Sequence, residues 1–320
     1  MNVPTMVDLL KAQELISKYL PRTPLHYYKR LSTLLGCRIY LKHENHHALG
    51  AFKVRGGINI MSNLTEDERS RGVVTASTGN HAQSIAYAGA IFGVQTVIVM
   101  PERSNPTKVK SVEALGGKLV FYGDVFDEAK LHAENLEKEY GYRYIHSANE
   151  PNLISGVGTY AIEILEDLPE VDYIFVPLGG GSGAAGTCIG AKGLKPDVRV
   201  VAVQSEKAPA AYLSWKKQSI VTSENTTFAE GLATGSGFDL TQKILWDLLD
   251  EFVLVSDEAI KDAIVTLIDC AHTVAEGAGA AALAGAVKLR DQIRDKNVVI
   301  VVSGGNLSLP QLKDIAERIT

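Results

Sequence analysis

Gly72-Val73-Val74-Thr75-Ala76 followed by Ser77-Thr78-Gly79-Asn80-His81-Ala82-Gln83 reads as a strand, a polar turn and the start of a helix. A short apolar run closed by turn residues is the mark of a buried strand. Ser, Thr and Asn then provide helix N-caps, and His81 to Phe92 is helix-like. The alternation continues outward. Gln95 to Met100 is a strand and Pro106 to Leu115 a helix with Pro near its start. Lys118 to Tyr122 is a strand, Asp124 to Tyr140 a helix and Tyr142 to His146 a strand. Strands alternating with helices imply right-handed β-α-β units on a parallel sheet.

A second series follows the turn Asn149-Glu150-Pro151-Asn152. Ile154 to Leu165 is a helix, Val171 to Pro177 a strand, Ala184 to Gly193 a helix and Arg199 to Gln204 a strand. Residues 206–240 have no readable period. Phe252 to Val255 is a strand, Ser256 caps a helix reaching about Thr273, and Ala278 to Lys288 is a small-residue helix. Val298 to Val302 is a strand, and a terminal helix follows. At the N-terminus, Thr5 and Asp8 have capping-box spacing ahead of a helix over 5–20, ended by Pro21 and Pro24. Cys37 to Lys42 is a strand. The fold class is therefore α/β, with two open parallel-sheet αβ domains. Residues 49–145 form the smaller, mobile unit, and 1–48 with 146–320 form the larger one.

Composition excludes several functions. The net charge of −5 gives no electrostatic reason to bind nucleic acid. No uninterrupted apolar run is longer than Val298 to Val302, far short of the roughly 20 residues that cross a bilayer. Asp8, Lys11, Glu14 and Lys18 interrupt any signal-peptide core. Cys37, Cys188 and Cys270 are scattered and odd in number, which points to reduced thiols in a cytoplasmic protein.

Five stretches carry possible chemistry. In Leu49-Gly50-Ala51-Phe52-Lys53-Val54-Arg55-Gly56-Gly57, a lone lysine lies among small and apolar residues. In the first turn of a helix starting near Ala51, the dipole and desolvation both lower its pKa. A neutral amine suits Schiff-base chemistry; the plain alternative is a solvated surface lysine. Ser77 to His81 opens a helix, where free N–H groups suit a carboxylate; a simple capped turn reads equally well, with His81 structural. Gly179-Gly180-Gly181-Ser182-Gly183-Ala184-Ala185-Gly186 follows a strand and can curl its N–H groups around a phosphate. It also matches G-x-G-x-x-G at Gly181, Gly183 and Gly186, with Glu206 placed for a ribose, so a nicotinamide-dependent dehydrogenase is the rival reading. Ser303-Gly304-Gly305-Asn306 closes the most apolar strand, where Ser303 could meet a ligand's ring nitrogen; a strand-exit turn is the alternative. Glu224 and Glu230 are a candidate pair for a divalent cation such as Mg2+, against the reading that these and Glu276 are solvated carboxylates.

Taken in order, Lys42-x-Glu44 to Phe52-Lys53-x-Arg55-Gly56, Ser77-x-Gly79-Asn80-His81-x-Gln83, the 179–183 loop, Phe228-Ala229-Glu230-Gly231 and Ser303-Gly304-Gly305-Asn306 resemble the serine/threonine dehydratase family. This is a group of fold type II pyridoxal-phosphate enzymes (tryptophan synthase β-like in architecture) that includes threonine ammonia-lyase and serine racemase. The resemblance implies pyridoxal 5'-phosphate held on Lys53, with Lys53 also moving the α-proton. It implies Asn80 at the ring hydroxyl, Phe52 beside the ring and Ser303 at the ring nitrogen. Gly179, Gly180, Gly181, Ser182 and Gly183 would hold the phosphate, and Ser77, Gly79, Asn80 and His81 the substrate carboxylate. Its activity would be α,β-elimination from L-threonine or L-serine to a 2-oxo acid and ammonia. Racemisation or 3-hydroxyaspartate dehydration on the same site are the alternatives. A homodimer, a small amino-acid substrate and no membrane partner are implied as well.

The sequence also departs from the family pattern. Leu49 and Ala51 stand where relatives carry hydroxyls, and Ser182 where they carry glycine. Thr78 takes the place of the racemase serine that works on the opposite face. The chain ends soon after Ser303, so no counterpart of the C-terminal regulatory domain of the biosynthetic threonine enzymes is expected.

Overall fold

The computed structural model describes residues 2–104 and 106–317. Its strands, in chain order, are β1 (Leu25–Tyr27), β2 (Arg38–Lys42), β3 (Val73–Ala76), β4 (Thr96–Met100) and β5 (Lys118–Phe121). They continue as β6 (Arg143–Tyr144), β7 (Tyr173–Pro177), β8 (Arg199–Ser205), β9 (Glu251–Val255) and β10 (Asn297–Val301). The larger sheet has the order β1-β2-β10-β7-β8-β9 and the smaller β5-β4-β3-β6. All pairings are parallel except that of β1 with β2 at the sheet edge.

Parallel strands need crossover helices, which cover both faces of the sheet, so both faces must be apolar. β10 shows the result. Val298 and Ile300 join Phe175, Val201 and Val203 against the helices Asp257–Ala271 and Gly277–Lys288. Val299 and Val301 point the other way, onto the helices Pro151–Asp167 and Ser182–Leu194. Each such side chain contributes about 1.5–3 kcal/mol on burial. In the smaller sheet, Val73 faces the helices Lys53–Ser62 and Asn80–Phe92. Its neighbour Val74 faces Phe126–Tyr140 on the opposite side.

Element ends follow local chemistry. The Asp8 carboxylate accepts from the Thr5 N–H at 2.8 Å. That first helix ends at Ile16 and not at residue 20, because the Lys18 and Tyr19 N–H groups tighten onto the carbonyls three residues back, Leu15 and Ile16. The Ser256 hydroxyl accepts from the Ala259 N–H at 3.1 Å and caps its helix as expected. The unreadable 206–240 stretch holds a helix, Ala210–Lys217, and a 3-10 turn, Glu230–Leu232. No helix among the described residues is long and apolar enough to cross a membrane.

Candidate active site

The loops leaving β3, β7 and β10 at their C-terminal ends carry Ser77–His81, Gly179–Gly183 and Ser303–Asn306, the position where open α/β sheets bind ligands. Lys53 begins its helix, and the residues before it are zipped to the loop after β10. The Phe52 N–H donates to the Ser303 carbonyl at 3.0 Å and the Gly305 N–H to the Gly50 carbonyl at 2.8 Å. Asn306 Nδ2 donates to the Leu49 carbonyl at 2.9 Å. Ala51 and Gly304 form an antiparallel bridge. Gly50 has φ +65°, and a Cβ there would lie 2.7 Å from Asn306 Oδ1, so glycine is required.

Two residues after Lys53, the same helix is bolted down by charge. Arg55 donates through Nε to Glu44 Oε2 at 2.8 Å and through Nη1 to Glu163 Oε1 at 2.7 Å. Lys42 Nζ reaches Glu163 Oε2 at 2.6 Å. All four side chains are buried. Burial works against its charge, but Arg55 holds the Glu44 carboxyl well below the usual carboxylate range.

The Lys53 amine is different, because no carboxylate is among its partners. Nζ donates to Ser182 Oγ at 2.8 Å and to the Ser147 carbonyl at 3.0 Å. It lies 5.3 Å from the centre of the Phe52 ring. Desolvation pushes its pKa down to about 8, so roughly a tenth of the amine is neutral at pH 7, far more than for a solvated lysine.

The 179–183 loop turns its carbonyls outward. Thr234 Oγ1 donates to the Gly179 carbonyl at 3.4 Å, Thr241 Oγ1 to that of Gly180 at 3.0 Å and the Tyr160 hydroxyl to that of Gly183 at 3.1 Å. Among the described residues, the N–H groups of Gly179 to Gly183 donate to nothing. They form a cradle at the start of a helix, the arrangement that binds phosphate. A Cβ on Gly179 would lie 2.1 Å from the Gly231 carbonyl oxygen, and Gly181 has φ +90°.

The β3 loop is a capped turn that also leaves N–H groups free. Ser77 Oγ caps the turn, accepting from Gly79 and Ala82 N–H at 3.3 Å each. The N–H groups of Thr78, Asn80 and His81 remain without an acceptor among the described residues. The His81 ring is turned inward. Its Nε2 lies 3.2 Å from Thr75 Oγ1, whose own proton goes to the Ile145 carbonyl at 2.7 Å. Nε2 therefore carries the hydrogen. Burial, with Lys53 nearby, pushes the pKa to about 3, so the ring is neutral. Asn80 Nδ2 donates to Glu276 Oε1 at 2.7 Å, and its Oδ1 accepts from Asn306 Nδ2 at 2.7 Å. Burial pushes the Glu276 carboxyl up. Ser303 is buried, and its hydroxyl makes no hydrogen bond among the described residues.

Some candidates lie elsewhere. Glu230 is ion-paired with Lys108, and Glu224 is exposed. Among the described residues, no group of three or more His, Cys, Asp or Glu gathers to hold a metal ion. Gly186 uses its missing Cβ for helix packing, since one would lie 2.8 Å from Gly158 Cα. Glu206 faces Lys288 at 3.8 Å. Other residues at the site escape the sequence reading. Ser147 acts through its backbone carbonyl, which no residue type signals. Thr241 lies just past the unreadable stretch, and Glu276 shows in sequence only as a lone carboxylate.

The family model described as pyridoxal-phosphate dependent enzyme matches residues 16–304. The chain belongs to that family. It is similar to the L-threonine ammonia-lyase of Thermotoga maritima, 39% identical over 315 residues, covering 98% of this chain and 78% of that protein. Among solved structures it is similar to the processed form of threonine deaminase isoform 2 from Solanum lycopersicum, with TM-score 0.94 and 35% identity, covering 99% of this chain and 90% of that one. It is also similar to maize serine racemase, with TM-score 0.93 and 31% identity, covering 99% and 98%. The chain thus has the fold of the fold type II pyridoxal-phosphate enzymes. Its residues fit the cofactor: an uncrowded cradle of free N–H groups for a phosphate lies beside a desolvated lysine amine for an aldehyde.

Proposed function

We propose that this chain is an ammonia-lyase that converts L-threonine and L-serine to a 2-oxo acid and ammonia by α,β-elimination. The observation that carries this reading is the carboxylate-free, desolvated Lys53 amine beside the free N–H groups of the 179–183 loop. The names borne by the similar threonine enzymes support the substrate class.

In this reading Gly179, Gly180, Gly181, Ser182 and Gly183 hold the phosphate, Phe52 lines the ring and Ser303 gives its unspent hydroxyl to the ring nitrogen. Asn80 meets the ring hydroxyl. When bound, pyridoxal phosphate supplies an aldehyde for amines and a ring that draws electron density from the substrate α-carbon. Ser77, Gly79, Asn80 and His81 hold the substrate carboxylate, with the last acting through its N–H because its ring faces Thr75. The neutral Lys53 amine takes the α-proton as the β-hydroxyl leaves with a proton as water. The enamine released then adds water and loses ammonia. A serine hydroxyl is too weak an acid to keep a pyridine nitrogen protonated, which suits elimination, where charge need not accumulate.

Thr78 supports a second reading. Its hydroxyl lies in the turn after β3, and the likeness to a serine racemase makes proton delivery to the other face of the substrate a competing outcome. Dehydration of 3-hydroxyaspartate uses the same groups. The reading also includes a cytoplasmic homodimer, a 49–145 unit that closes over substrate, and activation by a divalent cation near Glu224 and Glu230 as a variable to test.

The test is a screen of L- and D-serine, L-threonine and 3-hydroxyaspartate, following 2-oxo-acid release and loss of chirality with and without magnesium. Fastest 2-oxo-acid release from L-threonine or L-serine is expected. Chirality loss outrunning it would replace the lyase with a racemase. Borohydride should fix the cofactor on Lys53, and Lys53→Ala should abolish turnover; full activity in that variant would end the reading.

A further inference from the structure

The anion cradle and the reactive amine meet at one side chain. Ser182 is the first residue of its helix and is 1% exposed. Its Oγ accepts from Lys53 Nζ at 2.8 Å. A hydroxyl that accepts still has its own proton to donate, and no acceptor among the described residues takes it. The nearby carbonyls are already engaged: Gly180 by Thr241, and Gly183 by Tyr160 and Thr187. What remains beside this hydroxyl is the set of free N–H groups of its own loop, which calls for an anion.

We propose that Ser182 bridges Lys53 and the anion in the 179–183 loop, accepting from the amine and donating to the anion. Lys53, whenever it is free of the cofactor, is thereby kept beside the phosphate and not released into the cleft. A glycine at this position, as the family pattern has it, can bind the anion through its N–H but cannot reach the amine. Ser182 is thus a positioning residue: it acts on the α-proton only through Lys53. The inference rests on the phosphate assignment proposed above.

The test uses the full chain stripped of cofactor, with circular dichroism to confirm its fold and inorganic phosphate as the probe. Phosphate affinity is measured by calorimetry in wild type, S182A, S182G, K53A and the double variant S182A/K53A. S182A and S182G should each weaken phosphate about tenfold, the usual cost of losing a hydrogen bond to a charged group. In the K53A background the same change should cost less than about threefold, because the bridge has already lost one end. The pH midpoint for modifying Lys53 with a small amine reagent should be lower in S182A, which loses an acceptor for the ammonium form, and S182T should restore it. Equal losses in both backgrounds, or an unmoved midpoint, overturn the bridge. S182G carries the same comparison if S182A does not fold. Wild-type protein whose phosphate does not compete with pyridoxal phosphate would instead overturn the cradle assignment, so the two failures are distinct.

Discussion

The amide of Asn80 donates to the Glu276 carboxylate at 2.7 Å, joining the turn after β3 to the N-cap residue of the helix Gly277–Lys288. The contact links the smaller sheet to the larger. The other end of the same amide is fixed by Asn306 at 2.7 Å, so Asn80 has one orientation. Asn80→Ala should lower kcat/KM on the order of tenfold to a hundredfold, the range for a hydrogen bond to a charged group. Glu276→Ala should cost less, because it leaves the Asn306 bond and the proposed ring contact of Asn80 in place. The double variant should cost little more than Asn80→Ala, since the Asn80–Glu276 contact is already lost in that variant. Glu276→Gln keeps an acceptor and should stay near wild type. Steady-state kinetics of the four variants decide it, and strictly additive losses would count against a shared role.

Gly179→Ala tests the cradle. The new Cβ would lie 2.1 Å from the Gly231 carbonyl oxygen, which is backbone and cannot rotate away. The loop must shift, and its N–H groups with it. The variant should lose cofactor on dialysis that wild type retains, with at most a modest change in thermal stability. Measured absorbance and cofactor content check this. Normal cofactor retention would refute the assignment.

What the sequence disclosed depended on whether local pattern or tertiary packing set the structure. β10 and the loop after it were legible because five consecutive apolar residues can only lie between two covered faces. The places of Lys53 at the start of its helix and of the glycine loop between β7 and its helix were legible because glycine runs and a lone lysine among apolar residues stand out by residue type. The helix Ala210–Lys217 was not, since its ends are held from outside: Gln242 Nε2 donates to the Ala211 carbonyl at 3.0 Å, and Trp215 Nε1 to that of Leu245 at 3.1 Å. The Ser147 carbonyl under Lys53 was invisible for a deeper reason, as any residue supplies one. His81 shows a third case. Its place in the motif was read, but its ring direction follows from Thr75 in β3 and the Ile145 carbonyl just past β6, both far from the motif's own pattern.

The buried ionic cluster gives a stability prediction. Arg55 binds Glu44 and Glu163, and Glu163 also binds Lys42. Arg55→Met would keep the volume and leave two buried carboxylates sharing one lysine. Breaking such a cluster from one side costs about 3–5 kcal/mol. The urea midpoint should fall with the slope unchanged. A loss below about 1 kcal/mol would mean that water reaches these groups. Because this helix begins at Lys53, the cofactor's hold on the surviving folded fraction should weaken too.

Acid should destabilise the fold well above the range in which carboxylates titrate. Burial pushes His43 and His146 to about 4 and His81 to about 3, all from an ordinary value of 6.5. Between those limits the unfolded chain binds more protons than the folded one, so stability rises with pH and is lost as pH falls below 6.5. At pH 5 the loss is on the order of 2 kcal/mol for each histidine relative to neutral pH. Glu44 and Glu163 are held below the usual carboxylate value by Arg55, against the effect of their burial, so they add their loss only below 4.5. Burial raises the Glu150 and Glu276 carboxyls from 4.5, so these two oppose the loss by taking up protons in the folded state. The lowered histidines outnumber them, and urea titrations at pH 7, 6 and 5 should still show falling midpoints. Burial lowers His46 as well, so His81→Gln should flatten that slope by roughly a quarter to a third, since one of four such protonation sites is removed. A slope unchanged in the variant would show that His81 titrates in the folded protein as it does in the unfolded chain.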